Sequence, residues 1–412
     1  MKLVMLRSIL TVRLGVRGYG DGLLNSPSPG GAFQPPPESG LPPSHNDWAD
    51  KVLVNPPVNN QTVFECKYEI DSLCGFLKLS RSYYNSTKDD SFMNENSEPT
   101  HPHHPQGSTA IDQIFRVINE QSQGSFDDDF NFISYYNWTG TAGALSPRVN
   151  NRGNNEPRAY TGMVATSHRP SDDLATFAFL VPANAMLSVE LGYLAEILDA
   201  TGKAQNVSAL AKEWSGRIKD AIWNSTLVDN VFAYETNGEL LPSSPPSLVF
   251  CSLLMRVALG LGSRYVMDDA NVPSLLSLPY LGFLDRQDPA YIATRNVLLS
   301  KKNPYYSKGD HFGGVGGPHV DPWHPWPMSQ VSAIFGTEDD EEIMNSLYLI
   351  VNNTAGLGLI HESQNIYNAT DYTRPWFAWA NSYFAEMVLD LAERKPELIL
   401  KDGERYVPGQ GQ

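Results

Sequence analysis

Cysteine is scarce in this chain: Cys66, Cys74 and Cys251 are the only three in 412 residues. Their spacing offers neither a zinc site nor a disulfide framework, and Cys66 and Cys74, eight apart, read as helix-packing residues rather than reactive thiols. Long apolar runs are also missing. Even the stretch after Asp173 is interrupted by Pro182 and Asn184, which argues against a membrane span. Positive charge is in deficit, 30 Lys+Arg against 46 Asp+Glu for a net charge of −16. Such a balance repels phosphate backbones and anionic membranes, so neither a nucleic acid nor a lipid surface is an expected partner. Nucleotide fingerprints are absent too: Gly313-Gly314-Val315-Gly316-Gly317 lacks the following Lys-Ser/Thr, and no strand is predicted before it. There is no Gly-X-Ser-X-Gly elbow for a serine hydrolase. His101, His103 and His104 fall in a polar, Pro-containing loop, and His311, His319 and His324 lack carboxylates at a ligand spacing. No metal or cofactor is therefore expected.

What is there is a globular composition, 41% hydrophobic and 11% aromatic, long enough for one large architecture or two to three small domains. Seven Asn-X-Ser/Thr sequons, at Asn60, Asn85, Asn137, Asn206, Asn224, Asn352 and Asn368, point to the secretory pathway or the extracellular space. The opening segment is basic and partly apolar, but Arg7, Arg13 and Arg17 interrupt a signal-peptide core.

From Gly18 to about Pro57, Gly, Pro, Ser and Asn dominate, which predicts a covering loop. Apolar spacing predicts helices over Cys66 to Tyr84 and Ala110 to Asn119, with a polar excursion at Ser91 to Gln106 and a strand at Phe130 to Trp138. The stretch from Ser171 to Gly202 reads as helices broken near Pro182. Further helices are expected at Ser208 to Trp223, Pro246 to Leu261, Asn271 to Leu278, Asp288 to Leu299, Pro327 to Ile334, Glu338 to Val351 and Trp376 to Glu393. Successive helices joined by long aromatic- and Gly/Pro-rich loops suggest an all-α helical toroid whose loops build a site on one face.

Aromatic and polar residues concentrate in those loops and helix starts: Tyr305, Tyr306, His319, Trp323, Trp326, His361, Glu362, Tyr372, Arg374 and Trp376. That mixture suits sugars, whose faces stack on rings while charged and amide groups take the hydroxyls. Trp323 and Trp326, in a loop too rich in Gly and Pro for a core helix, are assigned to the site, whereas Trp379 and Phe384, inside a helix, are assigned to the core. Two carboxylate stations stand out. At Arg169-Pro170-Ser171-Asp172-Asp173, adjacent acids could raise one another's pKa enough to keep a proton, or could simply cap a helix. At Leu359 to Ser363, Glu362 follows a Gly-rich approach (Gly356, Gly358) beside His361. One acid for the leaving oxygen and one base for water is the minimum for inverting glycoside hydrolysis, which needs the two carboxyls roughly 6.5–9.5 Å apart.

KYEIDSLCGFL at 67–77, SHRPSDD at 167–173 with LVPANAM after it, NPYY at 303–306, GGPHV followed by WPMS, and LIHES followed by YTRPWFAWAN together resemble glycoside hydrolase family 125, in order from about residue 33 to 395. The resemblance implies an (α/α)6 barrel and a metal-independent, inverting exo-α-mannosidase that removes terminal α-1,6-linked mannose from an oligosaccharide or N-glycan. It implies a general acid at Asp172, with Asp173 as the alternative, and a general base at Glu362. Glu69, Asp71, Arg169, His319, Trp326, His361, Arg374 and Trp376 hold motif positions expected to bind the terminal sugar; His361 orienting Glu362 from behind is the alternative for that residue.

In one respect the chain departs from the family pattern. The family's first helical pair, with its Trp-Leu-Arg-Asp-type stretch, has no match before AFQPPPESG. Residues 1–32 are therefore read as an atypical segment, from a truncated or misassigned start, ahead of a glycosidase domain at 33–400 and a tail at 401–412. A toroid lacking its first helical pair would expose apolar surface and lose sugar contacts. The alternatives that follow are an inactive or carbohydrate-binding relative, or a related toroid with another sugar specificity.

Overall fold

The computed structural model describes residues 52–55, 67–90, 107–140, 150–238, 264–318 and 320–400. The segments 1–32 and 401–412, Cys66, Cys251, His319, the histidines at 101–104, the excursion at 91–106 and the helix expected from Pro246 to Leu261 lie outside the described residues. The chain divides into two compact units, Met1–Thr226 with Glu235–Tyr265, and Leu227–Tyr234 with Val266–Gln412. Helices dominate the described residues, while strands are two to four residues long. No described helix is long and apolar enough to cross a membrane.

In the first unit, α1 (Ile70–Thr87) and α2 (Gly107–Gln121) precede α3 (Val181–Thr201) and α4 (Gln205–Ser225). Helix α3 packs against both α4 and α1, which explains why VPANAMLSVELGYLAEIL carries apolar residues nearly all round. Pro182 does not break this helix. It occupies the first turn, where a missing N–H costs nothing, and Gly202 closes the other end in the left-handed region at φ 68°. Cys74 is buried on α1, and burial pushes its thiol well above the ordinary range, as suits a packing residue.

Two sequence expectations in this unit are corrected. Of the expected strand Phe130 to Trp138 only the last two residues enter one, Asn137–Gly140, which pairs antiparallel with Val52–Asn55, inside the segment expected to be loop. Residues 125–133 instead form a tight irregular hairpin, because Asp127 captures the backbone N–H groups of Asp129 and Asn131. Short strands Phe179–Leu180, Glu235–Thr236 and Arg264–Tyr265 form a three-stranded sheet.

The second unit holds α5 (Pro289–Leu298), α6 (Pro327–Phe335), α7 (Asp340–Val351) and α8 (Ala378–Arg394). Asp288 caps α5 by accepting from Ala290 N at 2.8 Å, and Asp339 caps α7 by accepting from Glu342 N at 2.9 Å. Helix α6 packs on α7 and α8 around Val331, Ile334, Ile343, Ile350, Met387 and Leu391. Gly336 ends α6 where any side chain would overlap the Tyr291 hydroxyl. The helix expected from Asn271 to Leu278 does not form; helix begins only at Leu278. Pro273 interrupts the run, and the Asp268 carboxylate takes the N–H groups of Leu275 and Leu276 at 2.8 and 3.0 Å.

Candidate functional site

In the first unit, the acids at 172–173 do not cap a helix, since α3 begins eight residues later. They sit in a turn closed by Asp172 N to Arg169 O at 3.0 Å and Arg169 N to Asp173 O at 2.8 Å. Asp172 takes the left-handed conformation there, φ 67°, which Asp tolerates better than most residues. Its Oδ1 accepts a hydrogen bond from Lys67 Nζ. Ser171 Oγ donates to Asp173 Oδ2 at 3.1 Å.

Arg169 anchors the turn from inside. Its Nε lies 2.6 Å from Glu235 Oε1, both side chains are buried, and the other Glu235 oxygen accepts from Thr176 N and Phe177 N at 2.8 and 3.2 Å. An ion pair with its remaining lone pairs satisfied is rigid, and losing either partner would leave an uncompensated buried charge.

Just before α1, Glu69 occupies the N-cap position and Asp71 the first turn. Burial, reinforced by the negative charge of Asp172, pushes the Asp71 carboxyl up to about 7. Behind the turn, the buried His168 ring meets Trp138 edge-on at 4.8 Å, and burial pushes it well below its ordinary value, so it is neutral. The first station thus gathers Lys67, Glu69, Asp71, Arg169, Asp172 and Asp173 in one unit.

The second unit carries the other station. Ser363–Gln364 pairs antiparallel with Tyr372–Thr373, so that Glu362 sits at the foot of a hairpin with its N–H on Thr373 O at 3.3 Å. Glu362 is buried, and its Oε1 lies 3.3 Å from Nε of the exposed Arg374. His361 is fully buried: Nδ1 contacts Pro375 O at 2.8 Å and the ring stacks on Tyr372 at 3.8 Å. These contacts hold the hairpin rather than the Glu362 carboxylate. Asn381 of α8 brackets the approach, accepting from Ile360 N at 3.0 Å and donating to Ile360 O at 2.8 Å.

The aromatic assignments are corrected here. Trp326 is 2% exposed and belongs to the core around α6, edge-on to Phe377, while Trp379, expected in the core, is 54% exposed. A Gly/Pro-rich loop folded back on α6 buries its tryptophan, whereas one side of α8 remains open. Trp323 and Trp376 are exposed as expected, and Phe384 packs on the core. His324 also gains what sequence spacing denied it: Nε2 lies 3.4 Å from Asp371 Oδ2 and Nδ1 lies 4.0 Å from Asp321 Oδ2.

Sequence reasoning missed Lys67, Glu235 and Asn381 as functional supports. Lys67 and Asn381 lay within quoted motifs, but their partners are distant or are backbone groups, so no spacing signal exists. No cluster of three or more His, Cys, Asp or Glu with a metal-holding arrangement occurs among the described residues. A cavity of about 550 Å³ in the second unit, lined by Tyr306, Lys308, His311, Gln330, Glu342 and Asn345, contains neither station.

The sequence profile of one family, metal-independent alpha-mannosidase (GH125), matches residues 23–241 and 258–389. The meiotically up-regulated gene 157 protein of Schizosaccharomyces pombe is 40% identical over 380 residues, 90% of this chain and 68% of its own length. A Streptococcus pneumoniae metal-independent α-mannosidase, solved in a non-productive complex with α-1,6-mannobiose, superposes with a TM-score of 0.75 at 28% identity. That alignment covers 92% of this chain and 79% of the bacterial one.

Proposed function

This chain belongs to the GH125 family of metal-independent α-mannosidases, and from that membership and the two carboxylate stations we propose that it is an inverting exo-α-1,6-mannosidase. The proposal includes an (α/α)6 barrel as the scaffold and an oligomannoside or N-glycan as the substrate. The α-1,6-mannobiose bound by the bacterial relative supports the linkage.

The observation that carries the mechanism is the Asp71–Asp172 pair. Burial and the negative charge of Asp172 push the Asp71 carboxyl up to about 7, so Asp71 holds a proton in the resting protein near neutral pH. Lys67 meanwhile pairs with Asp172. When a sugar covers Asp172 and excludes water, the proton passes to Asp172, which delivers it to the glycosidic oxygen as the C–O bond breaks. Glu362 takes a proton from water as the water oxygen bonds to the anomeric carbon, and the α-linkage is released as β-mannose. Arg374 holds the carboxylate of Glu362, while His361 and Asn381 position its hairpin. Glu69, Arg374 and Trp376 are the proposed contacts of the terminal sugar, with Asp173 the alternative acid.

The test is turnover of α-1,6-mannobiose by the wild type and by Asp172→Asn, Asp173→Asn and Glu362→Gln. The reading requires loss with Glu362→Gln and with one of the two Asp variants. Passage through the secretory pathway is part of the proposal, supported by the sequons, of which Asn85, Asn206, Asn224, Asn352 and Asn368 are exposed. A mass shift on glycosidase treatment of the secreted protein tests it.

A further inference from the structure

The hairpin at 125–133 presents an arrangement that packing does not explain. Phe126, Phe130 and Phe132 are 53%, 86% and 50% exposed within seven residues, and Tyr135 and Tyr160 are exposed as well. Soluble chains seldom leave such a concentration of large rings in water without a use for it.

The hairpin is also built to hold its shape. Phe126 and Phe132 form a β-bridge and meet edge-on at 5.6 Å. Asp127 closes the tip, accepting from Asp129 N, Asn131 N and Asn131 Nδ2 at 3.0, 2.8 and 3.0 Å. Arg158 braces the base through Nε to Gln123 O at 3.0 Å and its own N–H to Ser125 Oγ at 2.9 Å. Asp127 is thus spent on the turn, whereas the side chains of Asp128 and Asp129 are exposed and make no hydrogen bond among the described residues. At the foot, Tyr136 Oη accepts from Tyr68 N at 3.0 Å, next to the Lys67 that pairs with Asp172. The aromatic tip and the first carboxylate station are therefore parts of one braced piece of the first unit.

We infer that the Phe126–Phe130–Phe132 hairpin is an auxiliary binding platform for the outer residues of an extended, neutral oligomannoside, an inference that rests on the proposed mannosidase function. Pyranose rings present C–H faces that stack on phenyl rings, and their hydroxyls donate to Asp128 and Asp129. The charge of the tip selects this occupant. Three consecutive acids on a chain of net charge −16 repel an anionic membrane and a second copy of the same tip, but not an uncharged glycan.

The experiment compares the full-length wild type with Phe130→Ser and with the triple change Phe126→Ser, Phe130→Ser and Phe132→Ser. The substrates are α-1,6-mannobiose and a long α-1,6-mannan. Phe130 has no packing role to lose, so its single variant keeps the test open if the triple variant fails to fold. The expected result is a KM for mannan raised about three- to tenfold, the loss of roughly one ring stack, with mannobiose kinetics unchanged. Mannan binding is measured separately by affinity electrophoresis in the Glu362→Gln background, where the Phe changes should weaken retention. Hairpin-dependent retention of mannan together with a wild type that turns over neither substrate would sink the enzymatic reading and leave the platform standing. Equal effects on both substrates, no effect on either, a Phe130-dependent dimer in sedimentation, or Phe130-dependent binding to phosphatidylserine vesicles would each overturn the platform.

Discussion

Lys67 and Asp172, 105 residues apart in sequence, are joined by an ion pair whose cationic end is 4% exposed and whose acidic end is 47% exposed. The pair runs from the interior of the first unit to its surface. A cation anchored inside thus holds the surface carboxylate in place. Asp172→Asn should lower kcat on α-1,6-mannobiose about 10²–10⁴-fold, the usual contribution of a general acid. The loss should be far smaller on an aryl mannoside whose leaving group needs little protonation. Equal losses on both substrates would move the acid elsewhere, with Asp173 next in line.

The Asp71 proton predicts a pH profile. Asp71 is pushed up to about 7 by burial and by the charge of Asp172, so the proton is present below that pH and lost above it. kcat/KM should therefore fall on the alkaline side with an apparent pKa near 7. Asp71→Asn, which removes the group that titrates there, should displace that limb. A limb unmoved in the variant would show that Asp71 does not hold the catalytic proton.

Glu362→Gln should lower kcat about 10²–10⁴-fold on every substrate, activated or not, because water must be deprotonated in each case. Asn381→Ala acts one step away. It frees both backbone groups of Ile360 and should lower kcat about tenfold or more with KM nearly unchanged. A KM effect alone would make Asn381 part of sugar binding instead.

RPSDD and LIHES could be singled out from the sequence because each is a contiguous local motif, and the helix start at Asp288 follows from capping chemistry, whereas Pro182, expected to break a helix, stands in the first turn of one. What was not legible depends on long-range pairing. Lys67–Asp172 and Arg169–Glu235 join residues 105 and 66 apart, and no spacing rule reaches across such distances. Trp326 and Trp379 exchanged their expected environments because composition predicts whether a segment is loop or helix, not which side of it faces the core. The strand expected at Phe130 to Trp138 begins inside the hairpin at 125–133, where the turn set by Asp127 overrides a period of two.

A stability prediction lies away from both stations. Asp268 is fully buried in the second unit, and burial pushes its carboxyl up to about 8 although Leu275 N and Leu276 N donate to it. A carboxyl raised in the folded state binds its proton more tightly there than in the unfolded chain. The stability it contributes is complete below the ordinary carboxylate range and is lost as pH rises through 8. The Tm should therefore fall between pH 5 and 9, and Asp268→Asn should flatten that dependence. A Tm slope identical in the variant would assign the pH dependence to other groups.

The central claim of the proposal is direct displacement of the leaving sugar by water, with general acid and general base catalysis. The configuration of the newly released sugar tests this most directly. Following hydrolysis of α-1,6-mannobiose by ¹H NMR at early times, before mutarotation, should show the anomeric proton of β-mannose appearing first, with the α-anomer growing in later. α-Mannose as the first-formed product would contradict the account, since it requires a nucleophile on the enzyme and a second displacement.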